Sequence, residues 1–312
     1  MKTPITRHAV TLTAIALAIS TPARAGESLQ DIAAGEDLAK RVQITKGSAP
    51  NEKGEGPTPN LAKLDGPPRR VALVSFYVAD EGKATGSYYS STRTFTWLTQ
   101  DGASHFADRY YERGLPALRE AMSRHGMELL THEQFLDSAE KRKAYTDYEL
   151  KMSMAARLLL GAIGGIQKAA ASGKELKQSA VAPGYRLLPA HPAATDPSIG
   201  ASLEDLRRAL GADAVLLVKN GSASDEKKVH LTDIHIMLYG PNPIPRKEGV
   251  MYVQYKEGQC YVDAVLRLKK AAEVATFKKK SIGEENYEGY ETLLATAADR
   301  AMAHVMEKIN EQ

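Results

Sequence analysis

Disulfides cannot hold this chain together. Its 312 residues include one cysteine, Cys260, which has no intramolecular partner. The fold must rest on a hydrophobic core, and the length is ample for one. Cys260 sits among strand-like residues and reads as a small buried hydrophobe.

Long apolar runs are missing as well. The most apolar internal stretch, Met152–Ile166, is interrupted by Arg157 and carries Gly161, Gly164 and Gly165. As a helix rising about 1.5 Å per residue it falls short of a bilayer core, so no transmembrane helix is expected in the mature chain. The glycines let another helix or strand approach closely. The segment is therefore a buried packing helix or, alternatively, a self-association or membrane-inserting segment.

A charge excess is also lacking. The chain has 41 basic and 38 acidic residues, and three of the basic ones, Lys2, Arg7 and Arg24, lie in an apparent leader. Without them the signs balance, which removes the electrostatic footprint of a nucleic-acid-binding protein. Lys141-Arg142-Lys143, Lys269-Lys270 and Lys278-Lys279-Lys280 read as solvated faces or protected strand edges.

The last absence is that of catalytic signatures. There is no His-Glu-x-x-His, paired-cysteine spacing or calcium loop, so no metal is expected. His230 and His235 are five apart on a predicted strand, an odd spacing that points them to opposite faces. Gly54-Glu55-Gly56 lies in a linker, not between a strand and a helix, so no nucleotide cofactor is expected. No Gly-x-Ser-x-Gly elbow exists. Asp233 is the least ordinary carboxylate, and its strand context assigns it to the solvent face. No catalytic residue is assigned.

What is present starts with a leader. Lys2 and Arg7 precede a short apolar run, Ala9–Ile19, and Ala23-Arg24-Ala25 fits the small-x-small cleavage rule. Residues 1–25 are expected to be a signal peptide, with no lipid-anchor cysteine after it, placing the mature protein in the periplasm or outside the cell. Residues 26–66 are polar and rich in Gly and Pro and read as a linker or arm, with an amphipathic piece at Leu29–Val42. The compact domain is expected over 67–312, with a helical and Pro-rich insert at about 140–198.

Within that domain Arg69–Val78 is a β-branched, aromatic and apolar run fenced by Pro67-Pro68 and Asp80-Glu81-Gly82, which predicts a buried central strand. A polar loop follows, Gly82–Trp97, whose Tyr88, Tyr89, Arg93 and Trp97 form the candidate contact surface. Helical spacing over Ala103–His125 predicts a helix that Pro116 should bend or divide. Met127–Leu130 reads as a strand, and Thr131 with Gln134 has the spacing of a capping box. Ser202 is placed as the cap of a later helix. The last third reads as an antiparallel meander, with Cys260–Leu268 and Val274–Ile282 paired across a turn at Lys270–Glu273, and then a closing amphipathic helix. The predicted class is α+β: one mixed sheet with a C-terminal antiparallel meander, covered by helices.

Two stretches carry a resemblance. Val71–Phe76 leading into a helix, with Gly126-Met127-Glu128-Leu129-Leu130 before a new helix, is one. Leu210-Gly211-Ala212-Asp213 opening the strand Ala214–Val218 is the other. Together they resemble the anticodon-binding-like α/β domain of exported bacterial proteins, a group that includes the TolB amino-terminal domain, the curli secretion lipoprotein, flagellar T-ring-type proteins and lipoprotein activators of peptidoglycan synthases. The chain departs from that pattern in lacking the anchor cysteine and the Asp-x-x-Thr-Gly turn. The resemblance implies binding or assembly in the envelope, with a protein partner, and transfers no residue roles. The alternatives are an exported hydrolase with dispersed catalytic residues and a self-assembling outer-membrane component.

Overall fold

The computed structural model describes residues 28–44, 60–80, 83–85, 93–95, 99–149, 178–188, 197–224, 227–245, 257–278 and 281–311. The expected leader, Met152–Ile166, Tyr88, Tyr89 and Trp97 lie outside them, and of Arg93 only the backbone is described. In chain order the elements are α1 (Leu29–Ala33), β1 (Val42–Ile44), β2 (Arg70–Asp80), β3 (Lys83–Thr85), β4 (Arg93–Phe95), α2 (Gln100–Arg124), β5 (Glu128–Leu130), α3 (His132–Phe135), α4 (Ala139–Thr146), β6 (Gln178–Val181), α5 (Pro197–Leu210), β7 (Ala214–Ser224), β8 (Lys228–Pro241), β9 (Gly258–Lys278), β10 (Ser281–Glu285) and α6 (Tyr290–Ile309).

The class is α+β, one mixed sheet in the order β1-β9-β8-β7-β2-β5, with β10 on β9 and β6 on β2. Strand β2 is its spine. It pairs in parallel with β5 and β7, and every residue from Val71 to Val78 is buried, as its apolar run led one to expect. A strand buried on both faces reads as a continuous apolar run because neither face meets water. Strands β7, β8 and β9 form the antiparallel meander. A separate two-stranded ribbon joins β3 to β4.

Helices α2 and α6 pack together on one face, and α4 and α5 pack together on the other. The α2–α6 layer carries a tyrosine cluster. Tyr110 stacks at 4.5 Å on Tyr290 and meets Tyr287 edge-on at 5.5 Å. The Tyr290 hydroxyl donates to Asn220 Oδ1 at 2.8 Å, so a polar group buried in mid-sheet is satisfied. Gly114 admits α6: a side-chain carbon there would come within 2.5 Å of Leu294. On the other face the same device recurs, because Gly200 of α5 lies directly against Gly258 of β9.

Several expectations change. Helix α2 runs unbroken through Pro116. Ser202 lies inside α5 rather than at its cap, and its hydroxyl meets Tyr148 at 2.8 Å. Ser28–Ile44, within the stretch expected to be a linker or arm, joins the core. Leu29, Ile32, Leu38 and Val42 are buried, and β1 pairs with β9. The turn expected at Lys270–Glu273 is absent, for β9 continues from Gly258 to Lys278 and pairs with β8 on both sides of a register shift. Leu231 opposes Ala272 while Asp233 opposes Arg267, so the polar Lys269-Lys270 pair marks a bulge inside one strand. Thr131 and Gln134 do form the expected capping box.

That irregularity resets the alternation of β8. Against β7, Gly221 opposes Asp233 and Ser222 opposes Leu231, leaving Thr232 as an extra residue. The buried positions accordingly shift from Val229 and Leu231 to Ile234 and Ile236. His230 and His235 therefore share one face, contrary to the reading from their odd spacing, because an inserted residue flips the parity of everything beyond it.

Candidate functional site

Among the described residues the sheet carries a buried charged cluster on β7 and β8. Asp233, expected on the solvent face, is nearly enclosed where β8 bulges. His235 Nε2 lies 3.0 Å from its Oδ1 and Lys219 Nζ 4.0 Å, with side-chain exposures of 14% for Asp233, 18% for His235 and 12% for Lys219. The Thr232 hydroxyl donates to Oδ2 at 3.1 Å. Gly221 makes the space, since a side-chain carbon there would sit 2.4–2.6 Å from the carboxylate. Burial pushes the Asp233 pKa up, but His235, Lys219 and the Thr232 hydroxyl outweigh it and hold the carboxyl below its ordinary value.

An aspartate beside a histidine is half of a nucleophile-activating arrangement. The described residues do not supply the other half. The nearby Ser222 is buried and its hydroxyl donates to the carbonyl of His230. Cys260 is partly buried, and both burial and the neighbouring Asp263 carboxylate push its thiol well above the ordinary value, which makes it a poor nucleophile. No group of three or more metal-binding side chains occurs among the described residues. The cluster is built as an ion-pair network that stabilises the bulge.

A second charged region lies at the opposite end of the parallel strands. Arg69 and Arg70 at the start of β2, and Arg119 on α2, open onto a cleft of 780 Å³. Asp213, just before β7, accepts hydrogen bonds from the backbone amides of Arg69 and Arg70 at 2.9 and 2.8 Å. That grip fixes where both arginines leave the sheet. Their guanidinium groups find little. Arg70 Nη1 donates to Gly211 O at 3.5 Å and Arg119 Nη2 to Gln134 Oε1 at 3.4 Å, both at the limit of a hydrogen bond. Among the described residues no carboxylate stands within ion-pair distance of any of the three.

Several other arginines differ, although Arg142 too has only a carbonyl partner, Leu136 O. Arg207 and Arg208 both bind Glu204, Arg124 binds Glu120 and Asp299, and Arg113 binds Glu291. Lys141 and Lys143 are paired with Asp137 and Asp147, which bears out a solvated face there. Arg186 donates to the carbonyls of Tyr145 and Thr146 and so caps the end of α4. Tyr145 in turn donates to Val74 O of β2 at 2.7 Å.

Of the contact residues expected from sequence, Arg93 lies in β4 of the separate ribbon and is not among the residues that line the cleft. The cleft lies at the Arg70 end of β2. Sequence reasoning passed over its arginines. The Arg69-Arg70 pair at the mouth of a buried strand was a usable signal; Arg119 had none, because the fold alone brings it near. Among the described residues no helix is long and apolar enough to cross a membrane. Comparison with known proteins finds no match among family models, curated proteins or solved structures.

Proposed function

We propose that this protein is an exported, non-catalytic binding or assembly protein of the bacterial cell envelope. The observation that carries the reading is the set of three guanidinium groups, without carboxylate partners among the described residues, held on an open cleft. Unpaired charge on a rigid support suits recognition of a partner, while an open site does not exclude water as chemistry on a sequestered substrate requires. The signal-like residues 1–25 support export, and the resemblance to envelope assembly domains points the same way. The Gly82–Trp97 loop, which follows β2 in the chain and carries Tyr88, Tyr89, Arg93 and Trp97, is the second contact surface of this reading. Self-association through Met152–Ile166 is compatible with this reading.

The Asp233–His235 pair is the one observation that favours an exported hydrolase, and the lack of a nucleophile beside it weighs against that reading. Crosslinking in intact cells followed by identification of the captured molecules tests the proposal. A reproducible envelope protein partner is expected. Retention of the chain in the cytoplasm, or a chain that captures nothing, would overturn it.

A further inference from the structure

The cleft is one half of a longer trough. A second hollow of 410 Å³ adjoins it and shares Arg69 and Asp213 in its walls. The two halves differ in chemistry. Arg69, Arg70 and Arg119 dominate the first, whereas Leu64, Pro67, Pro68, Pro241 and Tyr261 line much of the second. The Tyr261 hydroxyl is spent on Pro241 O at 2.7 Å, and Arg207 on Glu204 and Ala212 O, so the second half offers apolar surface beside the Asp65 carboxylate.

We infer that this trough binds an extended acidic segment of a protein partner, with carboxylates on the three arginines and an apolar side chain in the proline-lined half. The inference rests on the reading of the protein as a binding protein and names the chemistry of its partner. Arginine forks match carboxylates in two-point geometry. A phosphate group would match them too, but compact phosphate sites rely on backbone amides at a helix N-terminus or in a Gly-rich turn. Here the amides of Arg69 and Arg70 are already taken by Asp213. Helix α2 reaches the cleft wall near its carboxyl end, through Arg119 and Ser123, and α3 is a single turn whose first amides are taken by its own capping box. Glu128 stands in the same wall and disfavours a dense polyanion.

The test is fluorescence anisotropy with a labelled peptide of alternating Glu and Leu, read against the full mature chain. Binding is expected to weaken steeply with salt and by about tenfold or more in the double variant Arg69→Glu/Arg119→Glu, since each charged hydrogen bond contributes on that scale. The reciprocal Lys–Leu peptide should bind that variant better than it binds the original chain, which guards against misfolding as the explanation. Equal binding of the acidic peptide to both proteins would overturn the inference. So would tighter capture of inorganic phosphate or of anionic lipid vesicles, which would assign the trough to a phosphate or a membrane. Crosslinking in cells separates the two levels: partner capture that survives Arg69→Glu/Arg119→Glu leaves the binding function standing and removes the trough from it.

Discussion

Lys219–Asp233–His235 and Arg69–Arg70–Arg119 use charge in opposite ways. In the first, an aspartate, a lysine and a histidine are nearly buried together, and the partners of the Asp233 carboxylate make its burial tolerable. In the second, three charges of one sign stand exposed around a cleft, each with weak hydrogen bonds or none. A buried ion network is tied to the fold that surrounds it. Exposed charges without ion-pair partners contribute little to folding, and their energy is available to a ligand. The contrast teaches where to look for function here: in the charges the fold leaves unused.

The contrast is open to breaking by mutation. Removing the carboxylate in Asp233→Ala strips Lys219 and His235 of the anion they share and should cost about 3 kcal/mol, measured as a lower denaturant midpoint. The same group gives a pH signature. Because its folded pKa is depressed, its stabilisation is present above the unfolded value of about 4 and is lost as pH falls below it. Asp233→Asn should therefore flatten the acid limb of the stability profile, and an unchanged limb would remove Asp233 from the account. Next in size is Gly221→Ala, whose new carbon displaces the Asp233 carboxylate; overpacking of this kind costs about 2 kcal/mol. Smallest is Arg69→Glu/Arg119→Glu, where exposure and the absence of ion pairs predict a stability change within about 0.5 kcal/mol. A loss as large as that of Asp233→Ala would show that these arginines serve the fold after all.

Much of the scaffold was legible in the sequence. The apolar run Val71–Val78 announces a doubly covered strand, and Ala214–Val218 announces the neighbour that shares its environment. Thr131 and Gln134 mark a helix start because capping is local chemistry. What stayed hidden depends on pairing over distance. Lys270–Glu273 looks like a turn until β8 is seen to pair with β9 on both sides of it. Thr232 has no local mark of being an extra residue, yet it alone decides that Asp233 packs over Gly221 and that His230 and His235 share a face. The cleft was hidden for the same reason. Arg119 joins Arg69 and Arg70 only because α2 returns to the start of β2 to deliver β5.

The division of labour between the two clusters is tested most directly by titrating the labelled acidic peptide into three proteins under conditions where all are folded. Asp233→Asn is expected to bind it as the original chain does, and Arg69→Glu/Arg119→Glu to bind it about tenfold more weakly or worse. Undiminished binding by the arginine variant, or loss of binding confined to Asp233→Asn, would contradict the account.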